Sequence, residues 1–354
     1  MKGGEFFTQS SVLSPQYFDM RVAVIGAGGW GTALGIVAAR AGREVRLWSR
    51  NASVVEDVNG RRVNGAYLEG HVVPEGVTAT TEPRTALRGA EVVVLAAPSH
   101  ATRALLGSMR GLFEPDAVFV SATKGVEVET GKRISEVVAE VLGEGAAGRF
   151  ACLSGPSFAQ EVAAGQPTAV VAASRDESLA RRVQLAFSAH SFRVYTNPDV
   201  TGTELGGASK NVMALAAGMV AGLGLGTNTV SALVTRGLAE MTRLAVAEGG
   251  RLETLMGLAG LGDLVLTCTG GLSRNRFVGQ ELGRGRTLAD VLAGMHEVAE
   301  GVRTTRAIRL LAARRGVEMP ITEEVHAVLY DGKSARDAVE SLISRPLREE
   351  FEIG

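Results

Sequence analysis

The sequence predicts an α/β protein in two parts, a doubly wound parallel sheet followed by an all-helical domain. Three observations carry this. A short apolar strand runs into a spaced glycine turn and a helical pattern at Arg21–Arg40, and apolar β-runs then alternate with helical patterns as far as Asn197-Pro198. From Asp199 onward the β signal stops. A chain of 354 residues also exceeds one ordinary core. The expected division is a poorly ordered extension over 1–19, a first domain over 20–198 and a helical domain over 199–354. The extension holds one Lys and no continuous apolar block, so it lacks the pattern of a secretory signal.

The first element is Arg-Val-Ala-Val-Ile, residues 21 to 25, followed by Gly26-Ala-Gly28-Gly29-Trp30-Gly31 and an Ala-rich helical run. Strand, Gly-x-Gly-x-x-Gly and helix in register form a dinucleotide-binding fingerprint of Rossmann type. Gly26 permits the tight turn, Gly28 lets the backbone approach a pyrophosphate, and Gly31 lets helix and strand pack closely. Glu44–Trp48 reads as the second strand, and it ends in Ser49-Arg50-Asn51 where an NAD site usually places an acid. Arg50 is either a 2′-phosphate ligand, which favours NADP(H) with NAD(H) still possible, or a solvated strand-end arginine. Residues 52 to 85 are polar, with Arg61-Arg62, a Pro-Gly-containing segment around Pro74 and Gly76, and His71 read as a surface residue.

Glu91–Leu95 is the next strand and delivers Pro98-Ser99-His100 to the carboxyl edge of the sheet, where ligands bind in open α/β sheets. His100 is either catalytic or part of the loop. Ala117–Ala122 brings Thr123-Lys124-Gly125 to the same edge, and a lysine there suits an anion or a carbonyl. Lys132 and Arg133 open an amphipathic helix and read as solvated. Phe150–Leu153 leads into Ser154-Gly155-Pro156-Ser157-Phe158-Ala159, where Pro156 is expected in a first helical turn. Ala169–Ala172 and Phe192–Tyr195 complete the sheet.

The helical half begins with Thr201–Met219 and Thr227–Glu248, with shorter helices reaching Ile343. Lys210 follows Gly206-Gly207 in a stretch nearly free of charge. It is either solvent-facing or buried in an interdomain cleft with a lowered pKa. Asp263 after Gly262 reads as a turn or cap residue, or as part of a site. Ser273-Arg274-Asn275 at a helix start combines free N–H groups, a forked cation and an amide, which suits a phosphate monoester.

Composition bounds the partners. A net charge of −1 gives no global field for nucleic acid or an anionic membrane. Cys152 and Cys268 lack metal-ligand spacing to the five histidines and read as free buried thiols, with no metal. The longest small-apolar run, Val212–Leu225, falls short of the roughly 20 residues of a membrane span.

The blocks Gly26–Gly31, Pro98–His100, Ala122–Gly125, Ser154–Ala159, Ser191–Tyr195, Leu205–Asn211, Gly260–Leu264 with Thr267–Thr269, Ser273–Asn275 and Gly316–Glu323 together resemble the bacterial NAD(P)-dependent glycerol-3-phosphate dehydrogenases. The resemblance covers residues 20 to 337. It implies reversible reduction of dihydroxyacetone phosphate to sn-glycerol 3-phosphate, feeding glycerophospholipid synthesis, by a cytoplasmic homodimer. It also implies a C-terminal domain like that of 6-phosphogluconate dehydrogenase. Lys210 would be the proton donor and acceptor, and Lys124 would touch cofactor and substrate. Gly155, Ser157, Asp263, Ser273, Arg274 and Asn275 would line the substrate site. Gly29, Trp30, Arg50, Ala159, Arg274, Val298 and Glu300 would meet the dinucleotide. Ser157 stands where the family commonly has Thr, and Gly29 where it commonly has Ser. The rivals are another phospho- or hydroxyacid dehydrogenase of this two-domain type and a non-catalytic dinucleotide sensor. The hydroxyacid families place Asn one turn after the lysine, where this chain has Ala214.

Overall fold

The computed structural model describes residues 20–295, 299–347 and 349–350. The expected extension over 1–19 lies outside them.

Among the described residues ten strands precede residue 198: β1 (Arg21–Ile25), β2 (Glu44–Trp48), β3 (Val63–Asn64), β4 (Leu68–Val72), β5 (Val77–Thr80), β6 (Val92–Leu95), β7 (Val118–Ser121), β8 (Phe150–Ser154), β9 (Thr168–Ala173) and β10 (Phe192–Asn197). Eight form one sheet in the order β10-β9-β8-β7-β6-β1-β2-β5. Parallel strands covered on both faces must be apolar along their length. Accordingly β6, Val-Val-Val-Leu, is buried at every residue. Alternate side chains feed two cores: Val22, Val24, Val92 and Val94 pack on one face, and Ala23, Ile25, Val93 and Leu95 on the other. β9 meets β8 antiparallel, with Leu153 opposite Ala172, so the last two strands form a reversed wing on the parallel sheet.

The chain passes outward from β1 to β2 and later returns to β6 on the other side of β1. Such a reversal opens a crevice beyond the carboxyl ends of the two strands. Here those ends are Ile25, followed by the glycine turn, and Leu95, followed by Ala96–His100.

Residues 52 to 85 hold more structure than their polarity predicts. β3 and β4 pair as a small antiparallel ribbon, and β5 joins the sheet edge beside β2. β5 buries only alternate residues, Val77 and Ala79, so it carries too short an apolar signal to stand out.

Beyond Asp199 the described residues form helices and their connections, with no strand among them. The central helix, Val200–Gly222, is buried from Val200 to Val220, which explains its small and apolar character on all sides. Its start is fixed by the Asp199 carboxylate, which accepts from the N–H groups of Gly202 and Arg251 at 2.8 Å each. Glycines let a second helix, Arg274–Gly283, cross it at backbone contact. A Cβ on Gly218 would lie 2.1 Å from the Arg276 carbonyl, and one on Gly279 would lie 2.0 Å from that of Leu215. The crossing sets where Arg274 and Asn275 stand relative to Lys210.

Arg133, expected in solvent, is instead buried. Its guanidinium donates to Thr201 Oγ1 at 2.9 Å and meets the buried Glu204 carboxylate at 3.4 Å. Ser135 adds N–H and hydroxyl donors to Glu204 at 2.8 and 2.5 Å. The amphipathic helix Ile134–Leu142 is thereby tied to the central helix. Among the described residues no helix is long and apolar enough to cross a membrane.

Candidate active site

Four segments converge at the crevice. β7 ends at Ser121 and carries Lys124 just past the sheet edge, β8 delivers Gly155 and Ser157, the central helix presents Lys210, and a short helix, Asp263–Thr269, begins with Asp263. Small residues make the convergence possible. A Cβ on Gly206 would lie 2.6 Å from the Ala259 carbonyl, so glycine there admits the single π-helical turn Leu258–Gly262 that leads into Asp263. Gly155 takes φ +136°, a backbone conformation that L side chains rarely adopt.

Asp263 is fully buried and divides its oxygens between two lysines. Lys210 Nζ donates to Oδ1 at 2.5 Å and Lys124 Nζ to Oδ2 at 2.9 Å. Lys210, only 6 % exposed, also donates to Thr267 Oγ1 at 2.7 Å. Lys124 further donates to the Gly155 carbonyl at 2.9 Å and to Ser157 Oγ at 3.1 Å. Desolvation brings the Lys210 ammonium down to about 8; the Asp263 carboxylate opposes the shift and the Lys124 charge adds to it. A buried amine poised near neutrality is equipped to give and take a proton.

A chain of amides sets the frame around this array. Asn211 Nδ2 donates to the Lys124 carbonyl at 3.0 Å, Asn275 Nδ2 to Asn211 Oδ1 at 3.0 Å, and the Gly301 N–H to Asn275 Oδ1 at 2.9 Å. Asn275 is thus partly committed within the protein, with one amide hydrogen left without a partner among the described residues. Ser273 Oγ caps its helix by accepting from the Arg276 N–H at 3.2 Å, while Arg274 is exposed beside it. Glu300 Oε1 accepts from the Ser99 N–H at 3.2 Å, joining the two halves. Desolvation raises the Glu300 carboxyl against the pull of the Ser99 N–H, Arg274, Lys210 and Lys124.

The fingerprint lies at the other wall of the crevice. Gly26 has φ +114°, and a Cβ on Gly31 would lie 1.9 Å from the Gly26 carbonyl, so both positions require glycine. Among the described residues, a Cβ on Gly28 would meet nothing within 4 Å, leaving open space beside the start of the helix Gly29–Arg40, whose first N–H groups have no side-chain cap. Trp30 lies 5.7 Å below Lys124 Nζ, and its buried indole N–H has no partner among the described residues. An open cradle, uncapped helix N–H groups and an orphaned donor fit a dinucleotide pyrophosphate. Ala159 stands close to Gly29, 3.8 Å from where its Cβ would be. Arg50 is exposed at the end of β2, where Ser49 Oγ accepts from the Asn51 N–H.

The sequence expectations fare unevenly. Lys124, Lys210, Asp263, Gly155 and Ser157 form one cluster, and Lys210 is buried rather than solvated. Pro156 precedes the helix Ala159–Ala163 and its cap Phe158, and so lies outside the expected first turn. His71 is half-buried and bonds Gln160 at 2.5 Å. His100 is exposed, its imidazole lowered by desolvation and by Arg303 and Arg50. Val298 lies outside the described residues. Sequence reasoning missed Thr267 and Asn211 as site residues. Thr267 is signalled by its i, i+4 spacing from Asp263 on one helix, and Asn211 by adjacency to Lys210.

Fold and site together define a two-domain, nicotinamide-nucleotide-dependent dehydrogenase. Residues 21–180 match the family model described as NAD-dependent glycerol-3-phosphate dehydrogenase N-terminus, and residues 199–340 match the corresponding C-terminus. The chain belongs to that family. It is 58% identical over 328 residues to a glycerol-3-phosphate dehydrogenase [NAD(P)+] of Koribacter versatilis, covering 92% of this chain and 97% of the relative. A Geobacter sulfurreducens enzyme of the same name is 52% identical, covering 93% and 98%. The crystal structure of glycerol-3-phosphate dehydrogenase from Coxiella burnetii is similar with a TM-score of 0.88 at 40% identity, covering 93% of this chain and all of that one.

Proposed function

We propose that this protein reduces dihydroxyacetone phosphate to sn-glycerol 3-phosphate reversibly, with Lys210 as the proton donor and acceptor. The observation that carries the reading is the buried Lys210–Asp263–Lys124 array beside a dinucleotide cradle. A reduced nicotinamide dinucleotide held at Gly26–Gly31 and Trp30 would supply hydride-transfer chemistry at the substrate carbonyl. Lys210 gives its proton to the oxygen that becomes the alcohol and recovers it in the reverse direction. Lys124 adds positive charge where negative charge develops on that oxygen, and Asp263 orients both ammonium groups. Ser273, Arg274 and the remaining Asn275 amide hydrogen hold the substrate phosphate, gaining binding energy away from the reacting carbon. Gly155 and Ser157 line the substrate site with them.

Gly26, Gly28, Gly29, Trp30 and Gly31 hold the pyrophosphate side of the dinucleotide, with Lys124, Ala159, Arg274 and Glu300 completing its site. Arg50, in place of an acid, favours NADP(H), while NAD(H) is also accepted. The working division is 20–198 for the dinucleotide-binding domain and 199–354 for the helical domain. A cytoplasmic homodimer is the setting that fits the family likeness.

The test is oxidation of NADPH and NADH with dihydroxyacetone phosphate beside unphosphorylated dihydroxyacetone. Turnover confined to the phosphorylated ketone is expected. Dinucleotide binding without turnover would favour the sensor, and equal use of both ketones would remove the phosphate site from the reading.

A further inference from the structure

The glycine turn is held from outside by a buried side chain that belongs to no part of the fingerprint. Asn64, at the end of β3, is 1 % exposed. Its Nδ2 donates to the Ala27 carbonyl at 2.9 Å and to Thr32 Oγ1 at 2.8 Å. Ala27 sits between Gly26 and Gly28, and Thr32 in the first turn of the helix Gly29–Arg40, so the two bonds straddle the turn. A carbonyl oxygen only accepts, which fixes the amide nitrogen, rather than the oxygen, toward Ala27. The Asn64 Oδ1 is then buried without a partner among the described residues. An unpaired buried acceptor costs stability, so an apolar side chain would serve mere packing better. What an apolar side chain does not supply is the pair of donors.

The ribbon bearing Asn64 is fastened at two further points. The Tyr67 carbonyl abuts the turn so closely that a Cβ on Gly29 would lie 2.6 Å from it. On β4, His71 Nε2 bonds Gln160 Oε1 at 2.5 Å. This ribbon is therefore seated on the turn, with Asn64 as its polar anchor.

We propose that Asn64 is a positioning residue for dinucleotide binding, acting through the backbone of Gly26–Gly31. By fixing the Ala27 peptide and the Thr32 side chain together, it aims the uncapped N–H groups of the helix start at the pyrophosphate. The proposal rests on the dinucleotide reading of the fingerprint.

The test is equilibrium binding of NADPH and NADH, followed by nucleotide fluorescence without substrate, to the intact chain and to Asn64→Ala, Asn64→Asp and Thr32→Val. Asn64→Ala removes both bonds, Asn64→Asp sets an oxygen against the Ala27 carbonyl, and Thr32→Val removes one bond while keeping shape. Asn64→Ala is expected to weaken both dinucleotides by about 10-fold to 100-fold, and Thr32→Val by less, as for a binding group displaced from its productive geometry. The KM for dihydroxyacetone phosphate and kcat at saturating NADPH stay within about threefold, because the lysine array is untouched. Unchanged dinucleotide affinity in Thr32→Val and in either folded Asn64 variant would overturn the proposal, as would a loss confined to kcat. If the Asn64 variants fail to fold, Thr32→Val alone decides. Failure of the unaltered chain to bind either dinucleotide would instead refute the fingerprint reading.

Discussion

Replacing Asp263 by Asn keeps the shape of the side chain and removes the charge that two ammonium groups share. Lys210 and Lys124 then face each other, 2.5 and 2.9 Å from an amide in place of a carboxylate. Breaking a buried ion pair costs about 3–5 kcal/mol, less whatever Lys210 recovers by losing its proton. The catalytic consequence is sharper. Lys210 is brought to about 8 with Asp263 pulling upward. A contacting opposite charge is worth about 1–3 pKa units, so its removal should take Lys210 to roughly 6. At about pH 7.5 the protonated fraction then falls from about three-quarters to about 3%, a loss near 25-fold in ketone reduction from protonation alone. The assay is kcat/KM for dihydroxyacetone phosphate between about pH 5 and pH 9, with folding checked by circular dichroism. The alkaline limb should move from about 8 in the unaltered protein to about 6 in Asp263→Asn. Oxidation of glycerol 3-phosphate, which uses the neutral amine, should lose far less at the same pH. A limb that stays near 8 would refute the pairing argument.

Three other perturbations have defined outcomes. Arg50→Ala should raise the KM for NADPH by about 10-fold and that for NADH by less than about threefold, since only the former carries a 2′-phosphate. Arg133→Met strands the buried Glu204 carboxylate and should lower unfolding stability by about 3–5 kcal/mol in urea melts, with Glu204→Gln in the same chain restoring much of it. Glu240 is buried and accepts from the N–H groups of Ile321 and Thr322, yet desolvation raises it to about 7. The folded state thus binds this proton more tightly than the unfolded chain does. The resulting stability is present below about 4.5 and lost as pH rises through about 7, a span worth about 3 kcal/mol that Glu240→Gln should flatten.

The alternation of strand and helix was legible because parallel strands must be apolar throughout and the glycine turn has few uses. The ribbon β3–β4 was not, since two short strands that bury only Asn64 and Leu68 carry no periodic signal. Lys210 illustrates the limit in the site. Its apolar neighbours raised burial as an option, but only tertiary packing brings Asp263 to it from 53 residues away. Arg133 misled for the converse reason: a charged residue at the start of an amphipathic helix is usually solvated, and its partner Glu204 lies 71 residues on, in another element. Gly206 and Gly218 of the central helix are where the backbones carrying Asp263 and Arg274 come into contact with that helix.

The central claim, that Lys210 moves the proton, is tested most directly by Lys210→Met, which keeps the length of the side chain and removes the amine. Turnover of dihydroxyacetone phosphate should fall by about 10²-fold to 10⁴-fold while NADPH affinity, measured by fluorescence, stays within about threefold. Near-native turnover in a folded Lys210→Met protein would contradict the account.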